Sequence, residues 1–139
     1  MNLSILQTVL ALADQPASGV YTDPPASEPA LRAMQAAARG RLGEPVPDQY
    51  VALLRLTNGL WVENTVFKSA AHLVPENLDV LRPEVIALGH EGNTAEFVFD
   101  RRDRRYHIII PGHVNERFAS FDRLDDLLAR VLEEQGVLE

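Results

Sequence analysis

The stretch "FVFDRRDRRYHIII", residues 97–110, decides the fold reading. Two alternating apolar runs flank a short polar tip. Phe97 and Phe99 fall on one face of an extended strand and Val98 on the other. Tyr106, Ile108 and Ile110 share a face, opposite His107 and Ile109. Alternation on both sides of a few polar residues predicts an antiparallel β-hairpin with residues 101–104 at its tip. Phe97, Phe99, Ile108 and Ile110 are then core candidates. Four arginines within five residues also raise the possibility of a nucleic-acid patch. Such patches use longer basic runs without acids, and Asp100 and Asp103 interrupt this one, so the pattern predicts a solvated tip.

Outward from the hairpin, "EVIALGHEGNTAEFVFD" predicts a strand over 85–88, a polar loop "GHEGN" and a strand over 95–99. "VNERFAS" predicts a short last strand. Phe121, Leu124, Leu127, Leu128, Val131 and Leu132 then follow i, i+3, i+4 spacing, which predicts a helix capped by Ser120 and stopped by Gly136. Asp122, Asp125 and Asp126 suit its N-terminal end.

Upstream the pattern is helical. Leu3, Leu6 and Leu10, with Ile5, Val9 and Leu12, predict an amphipathic first helix. The Ala11-Leu12-Ala13 triplet looks like a secretory cleavage site, but no base precedes the run and polar residues interrupt it. Residues 15–29, with four prolines and a glycine, predict a loop. Ser27 caps a second helix whose stripe is Leu31, Met34, Ala38 and Leu42, ending at Gly43. A third starts at Pro47-Asp48, buries Tyr50, Leu53, Leu54 and Leu56, and ends at Asn58-Gly59. "LWVENTVF" predicts short strands around Glu63-Asn64. "KSAAHLVPENLDVLRP" reads as irregular, with a helical turn near residues 78–81. The order predicts one α+β domain over 1–139: N-terminal helices, an antiparallel meander sheet, and a C-terminal helix packed on one sheet face.

Composition excludes much chemistry. The chain has no cysteine, so disulfides, thiol nucleophiles and Cys-ligated metals are out. A net charge of −7 repels nucleic acid and anionic membranes and favours a basic protein partner. No run reaches the ~18 apolar residues of a membrane span. The four histidines, His72, His90, His107 and His113, lack zinc spacing. His90 and His113 read as exposed loop residues, and would serve a hydrolase only with a nearby carboxylate. No nucleophile elbow or phosphate loop is present.

Trp61 is the only tryptophan, a core side chain or a partner anchor. Between Glu44 and Asp100 there are nine acids and three bases, so Glu63, Glu76, Asp79, Glu91 and Glu96 are candidates for an acidic docking face around it.

One stretch carries a resemblance. "LGEPVPDQYVALLRLTNGLW" holds Leu42-Gly43, Val46-Pro47, Asp48 with Tyr50, Leu53-Leu54 and Asn58-Gly59. "IALGHEGNTAEFVFDRRDRRYHIII" and "ERFASFDRLDDLLARVL" follow in order. Over residues 40–135 this resembles the SUKH superfamily of cell-wall-assembly-regulator-like and bacterial immunity proteins, and within it the YrhA-like branch. "ENTVFKSAAH" departs from the pattern, lacking the glycine many relatives carry there. The resemblance implies a cytoplasmic α+β domain with no catalytic residue, cofactor or metal. Its implied partner is a protein, usually a bacterial toxin such as a basic nuclease domain; the alternative is a regulatory scaffold without a toxin. Neither nucleic acid nor membrane is implied, and the oligomeric state is left open.

Overall fold

A computed structural model describes residues 3–15, 19–79 and 82–136. Five helices and seven strands alternate as α1 (Leu3–Ala13), β1 (Val20–Thr22), α2 (Glu28–Ala37), α3 (Asp48–Leu54), β2 (Leu60–Val62), β3 (Thr65–Phe67), α4 (Ala70–Asp79), β4 (Val85–Glu91), β5 (Ala95–Asp100), β6 (Arg105–Ile110), β7 (His113–Phe121) and α5 (Leu124–Glu134). The strands form one antiparallel meander in chain order, with β1 and β7 at its edges. This is the α+β architecture the sequence pattern predicts.

Alternation sorts the sheet into two faces. Leu60, Val62, Phe67, Ile86, Leu88, Phe97, Phe99, Tyr106 and Ile108 join the helices in one large core. Leu124, Leu127, Leu128, Val131 and Leu132 of α5 fill it from the C-terminal side, as their spacing predicts. Ile5, Val9 and Leu12 of α1 also pack on this core. Ile110 is only half-buried, because β6 ends there. Val85, Ala87, Val98 and Ile109 make a smaller cluster on the opposite, outer face, with Val114 beside it.

Gly89 marks where the inner face is tightest. It lies between Phe67 and Phe97 in the strand register, and those rings stack with centroids 5.2 Å apart. A Cβ on Gly89 would sit 2.3 Å from the Val66 carbonyl oxygen. Only glycine permits this approach, and β4 carries its register shift at the same point.

Three polar side chains fasten the helical layer. Gln35 brackets Val46, donating to its carbonyl at 3.0 Å and accepting from its N–H at 2.7 Å. The buried Tyr50 hydroxyl lies against the carbonyls of Lys68 and Leu88, and burial pushes its pKa far up. Asn58 accepts from the N–H of Ala70 at 2.9 Å, supporting the start of α4, while its own N–H reaches Pro24.

Several elements differ from the sequence expectation. The proline-rich loop contains β1, held by pairing with β2. The second helix ends in a π-helical turn, Ala38–Leu42, before Gly43 at φ +90°. Residues read as irregular form α4, with Pro75 inside it. Buried Ala70, Leu73 and Val74 hold that helix to the core, and Asn77 bonds both Leu73 and the backbone of Ala87. The turn expected near 78–81 falls partly outside the described residues. Gly89, His90 and Glu91 belong to β4 rather than to a loop. The last strand runs nine residues and includes Ser120 and Phe121. Ser120 therefore does not cap α5. Its hydroxyl faces His107, and Gln49 from α3 accepts from the N–H of Leu124 at 2.6 Å instead.

Candidate functional site

The register lines up one row on the outer face: Tyr21 opposite Trp61, Trp61 opposite Val66, Val66 opposite His90. Their neighbours in sequence point inward, so these four point away from the core. Tyr21 is 65% exposed and Trp61 54%. A cleft of about 220 Å³ lies over the row. Asp23, Lys68, His72 and Glu76 line its sides.

The indole is held in place. Its Nε1–H donates to the Glu63 carbonyl at 2.9 Å, and Glu63 turns the β2–β3 corner with φ +53°. Gly19 lies beside that corner, and a Cβ there would come 2.2 Å from Glu63 Oε1. Behind Asp23, the buried Thr57 hydroxyl accepts from its N–H at 3.1 Å and donates to the Gly59 carbonyl. Sequence reasoning missed Tyr21 and Asp23 because the surrounding prolines read as loop. Val20-Tyr21-Thr22, a β-branched–aromatic–β-branched triplet, was the signal available.

The five acids proposed around Trp61 are not gathered together. Glu63 flanks Trp61 and is exposed. Glu76 borders the cleft, but Lys68 pairs with it closely. Glu96 lies beyond His90 in the row and forms a two-pronged pair with Arg82. Burial would raise the Glu96 carboxyl, but Arg82 outweighs that and lowers it. Glu91 accepts from Gln135 just beyond α5, at 3.0 Å, and Asp79 ends α4. Among the described acids, Glu63 and Asp23 are the two beside the aromatic pair that make no ion pair.

The arginine-rich tip is the solvated hairpin turn its sequence predicts, and its arginines are paired with acids. Arg104 and Arg101 reach Glu44 at 3.0 and 3.6 Å, and the Arg104 guanidinium sits 5.0 Å over the Phe99 ring. Arg102 pairs with Asp100 at 2.8 Å, and Arg105 with Asp122 at 2.7 Å. Each of the four contacts a carboxylate, Arg101 and Arg104 sharing Glu44, so the tip is a mixed-charge cluster rather than a bare basic patch for a phosphate backbone.

Behind the tip, His107 is fully buried. Its Nδ1 lies 2.7 Å from Ser120 Oγ and its Nε2 2.9 Å from Asp103. Asp100, Asp103 and His107 have ligand atoms within 4.8 Å of one another, a spacing that suits a metal. Arg117 already bridges the two acids, at 2.9 and 3.3 Å. Both ring nitrogens are engaged, so a cation would have to displace existing partners. The Ser120–His107–Asp103 chain resembles a nucleophile–base–acid relay, but its histidine is sealed from substrate. His90, read as an exposed loop residue, is instead half-buried in β4, with Nδ1 lacking a hydrogen-bond partner. His113 begins β7, exposed, 3.9 Å from Glu116.

No helix among the described residues is long and apolar enough to cross a membrane. No protein-family model matches the chain, and no curated protein sequence matches it.

Proposed function

We propose that this chain is a non-enzymatic protein-binding domain of the SUKH type, an immunity protein that neutralises a bacterial toxin in the cytoplasm by covering it. The observation that carries this reading is the Tyr21–Trp61 pair. Two large aromatic residues, more than half exposed, occupy directly opposed positions on one sheet face and line the same cleft. Exposed aromatics that do not support the core are the residue types that anchor protein interfaces. The surplus of negative charge supports a basic partner by steering its approach.

The test is a pull-down with the protein encoded beside this chain. The expected result is a stoichiometric complex that protects cells, weakened about 30-fold or more by Trp61→Ala and about tenfold or more by Glu63→Lys. Glu76 and Glu96 are poor targets, since reversing them breaks their pairs with Lys68 and Arg82. Absence of both complex and protection would overturn the reading.

A further inference from the structure

We infer that Tyr21, Trp61, Asp23 and Glu63 form a seat for an arginine side chain presented by the protein partner. This inference rests on the docking reading and names what the face recognises.

The argument begins with register. Tyr21 and Trp61 are directly opposed, so their side chains leave the same face of the sheet, and both line one cleft. Glu63 follows Trp61 by two residues and Asp23 follows Tyr21 by two. Because the strands are antiparallel, the acids lie at opposite ends of the aromatic pair. Asp23 lines the cleft and is exposed. Both carboxylates lack an ion-pair partner among the described residues, whereas nearby Glu76 and Glu96 are already neutralised. Lys68, the cation on the cleft wall, is in turn neutralised by Glu76.

An arginine fits this arrangement by chemistry. Its guanidinium is planar and weakly hydrated, so it stacks on an indole or phenol face while its edge donates to carboxylates. Lysine offers a strongly hydrated point charge and no plane to stack. The seat is built before the guest arrives. The Nε1–H bond to the Glu63 carbonyl fixes the indole, and the missing side chain of Gly19 leaves room for the Glu63 carboxylate. Less side-chain freedom is then lost on binding.

Trp61 is the sole tryptophan, so its fluorescence reports this site directly. The probes are three blocked pentapeptides of glycine with a central arginine, citrulline or lysine. The arginine peptide should change the emission saturably. Citrulline, which keeps the shape but not the charge, should bind at least tenfold more weakly, and lysine at least threefold. Glu63→Gln combined with Asp23→Asn should weaken arginine binding about tenfold without changing the melting temperature. Equal binding of arginine and citrulline, or indifference to the double substitution, would overturn the seat even if a protein partner still needs Trp61. Loss of the protein partner with arginine preference intact would instead overturn the docking reading and leave the seat standing.

Discussion

Arg117 on the edge strand β7 places Nη2 2.9 Å from Asp100 and Nη1 3.3 Å from Asp103, so one guanidinium ties down both acids of the β5–β6 turn. Asp100 is fully buried. Burial alone would raise its carboxyl, but hydrogen bonds from Arg102 and Arg117 outweigh it and hold it at about 2. The ordinary value is 3.8, and a shift of this size corresponds to roughly 2 kcal/mol. Asp100→Asn should therefore destabilise the fold by about 2 kcal/mol at neutral pH. Urea unfolding at pH 7 checks this. An unchanged midpoint would mean that the cluster contributes nothing.

His107 gives stability a pH dependence of definite sign. Burial first, and the Arg117 charge second, depress its pKa, and these outweigh Asp103 and Asp100. The unfolded chain takes up this proton near pH 6.5, whereas the folded chain does so only at lower pH. The stabilisation is complete well above 6.5 and declines as the solution is acidified through that value and below it. Asp100 adds a separate decline between its ordinary 3.8 and about 2. Urea midpoints at pH 7.5, 6.5 and 5.5 should fall in that order, and His107→Gln should flatten the series. Rising midpoints on acidification would contradict the assignment.

The packing at Gly89 predicts an intolerant position. A methyl group there meets the Val66 carbonyl oxygen at 2.3 Å, and backbone rather than a flexible side chain must yield. Gly89→Ala should cost about 3 kcal/mol or more, whereas an exposed glycine such as Gly40, with open space around it, should tolerate alanine. Thermal melts of the two variants separate these outcomes.

The sequence was legible where one face of an element is buried and its neighbours are local. The β5–β6 hairpin and α5 follow from alternation and helical spacing because their apolar residues all meet one core. Alternation also placed His107 and Ile109 opposite the core face, but not the second buried cluster that forms there. Where distant residues supply the support, local signals misled. Pro75 argues against a helix, yet Asn58 and Asn77 bind the backbone groups that hold α4 in place. Ser120 has the chemistry of a cap, but its partner is His107 and the α5 bond comes from Gln49, 75 residues away. Charge was the least legible feature. Glu76, Glu96 and the tip arginines look free in the sequence, and each is matched by a residue between two and 60 positions distant. Trp61 was identified as an anchor candidate, while Tyr21, signalled only by the Val20-Tyr21-Thr22 triplet, is set opposite it by the β1–β2 pairing.

The central claim is that the Tyr21–Trp61 face binds a partner rather than supporting the fold. Its most direct test pairs calorimetric titration of the neighbouring gene's product with melting curves of wild type and Trp61→Ala. An exposed side chain removed from the outer sheet face should shift stability by no more than ~0.5 kcal/mol, whereas a central anchor should cost binding about 2 kcal/mol or more, at least a 30-fold rise in Kd. A folded Trp61→Ala protein that binds as tightly as wild type would contradict the account.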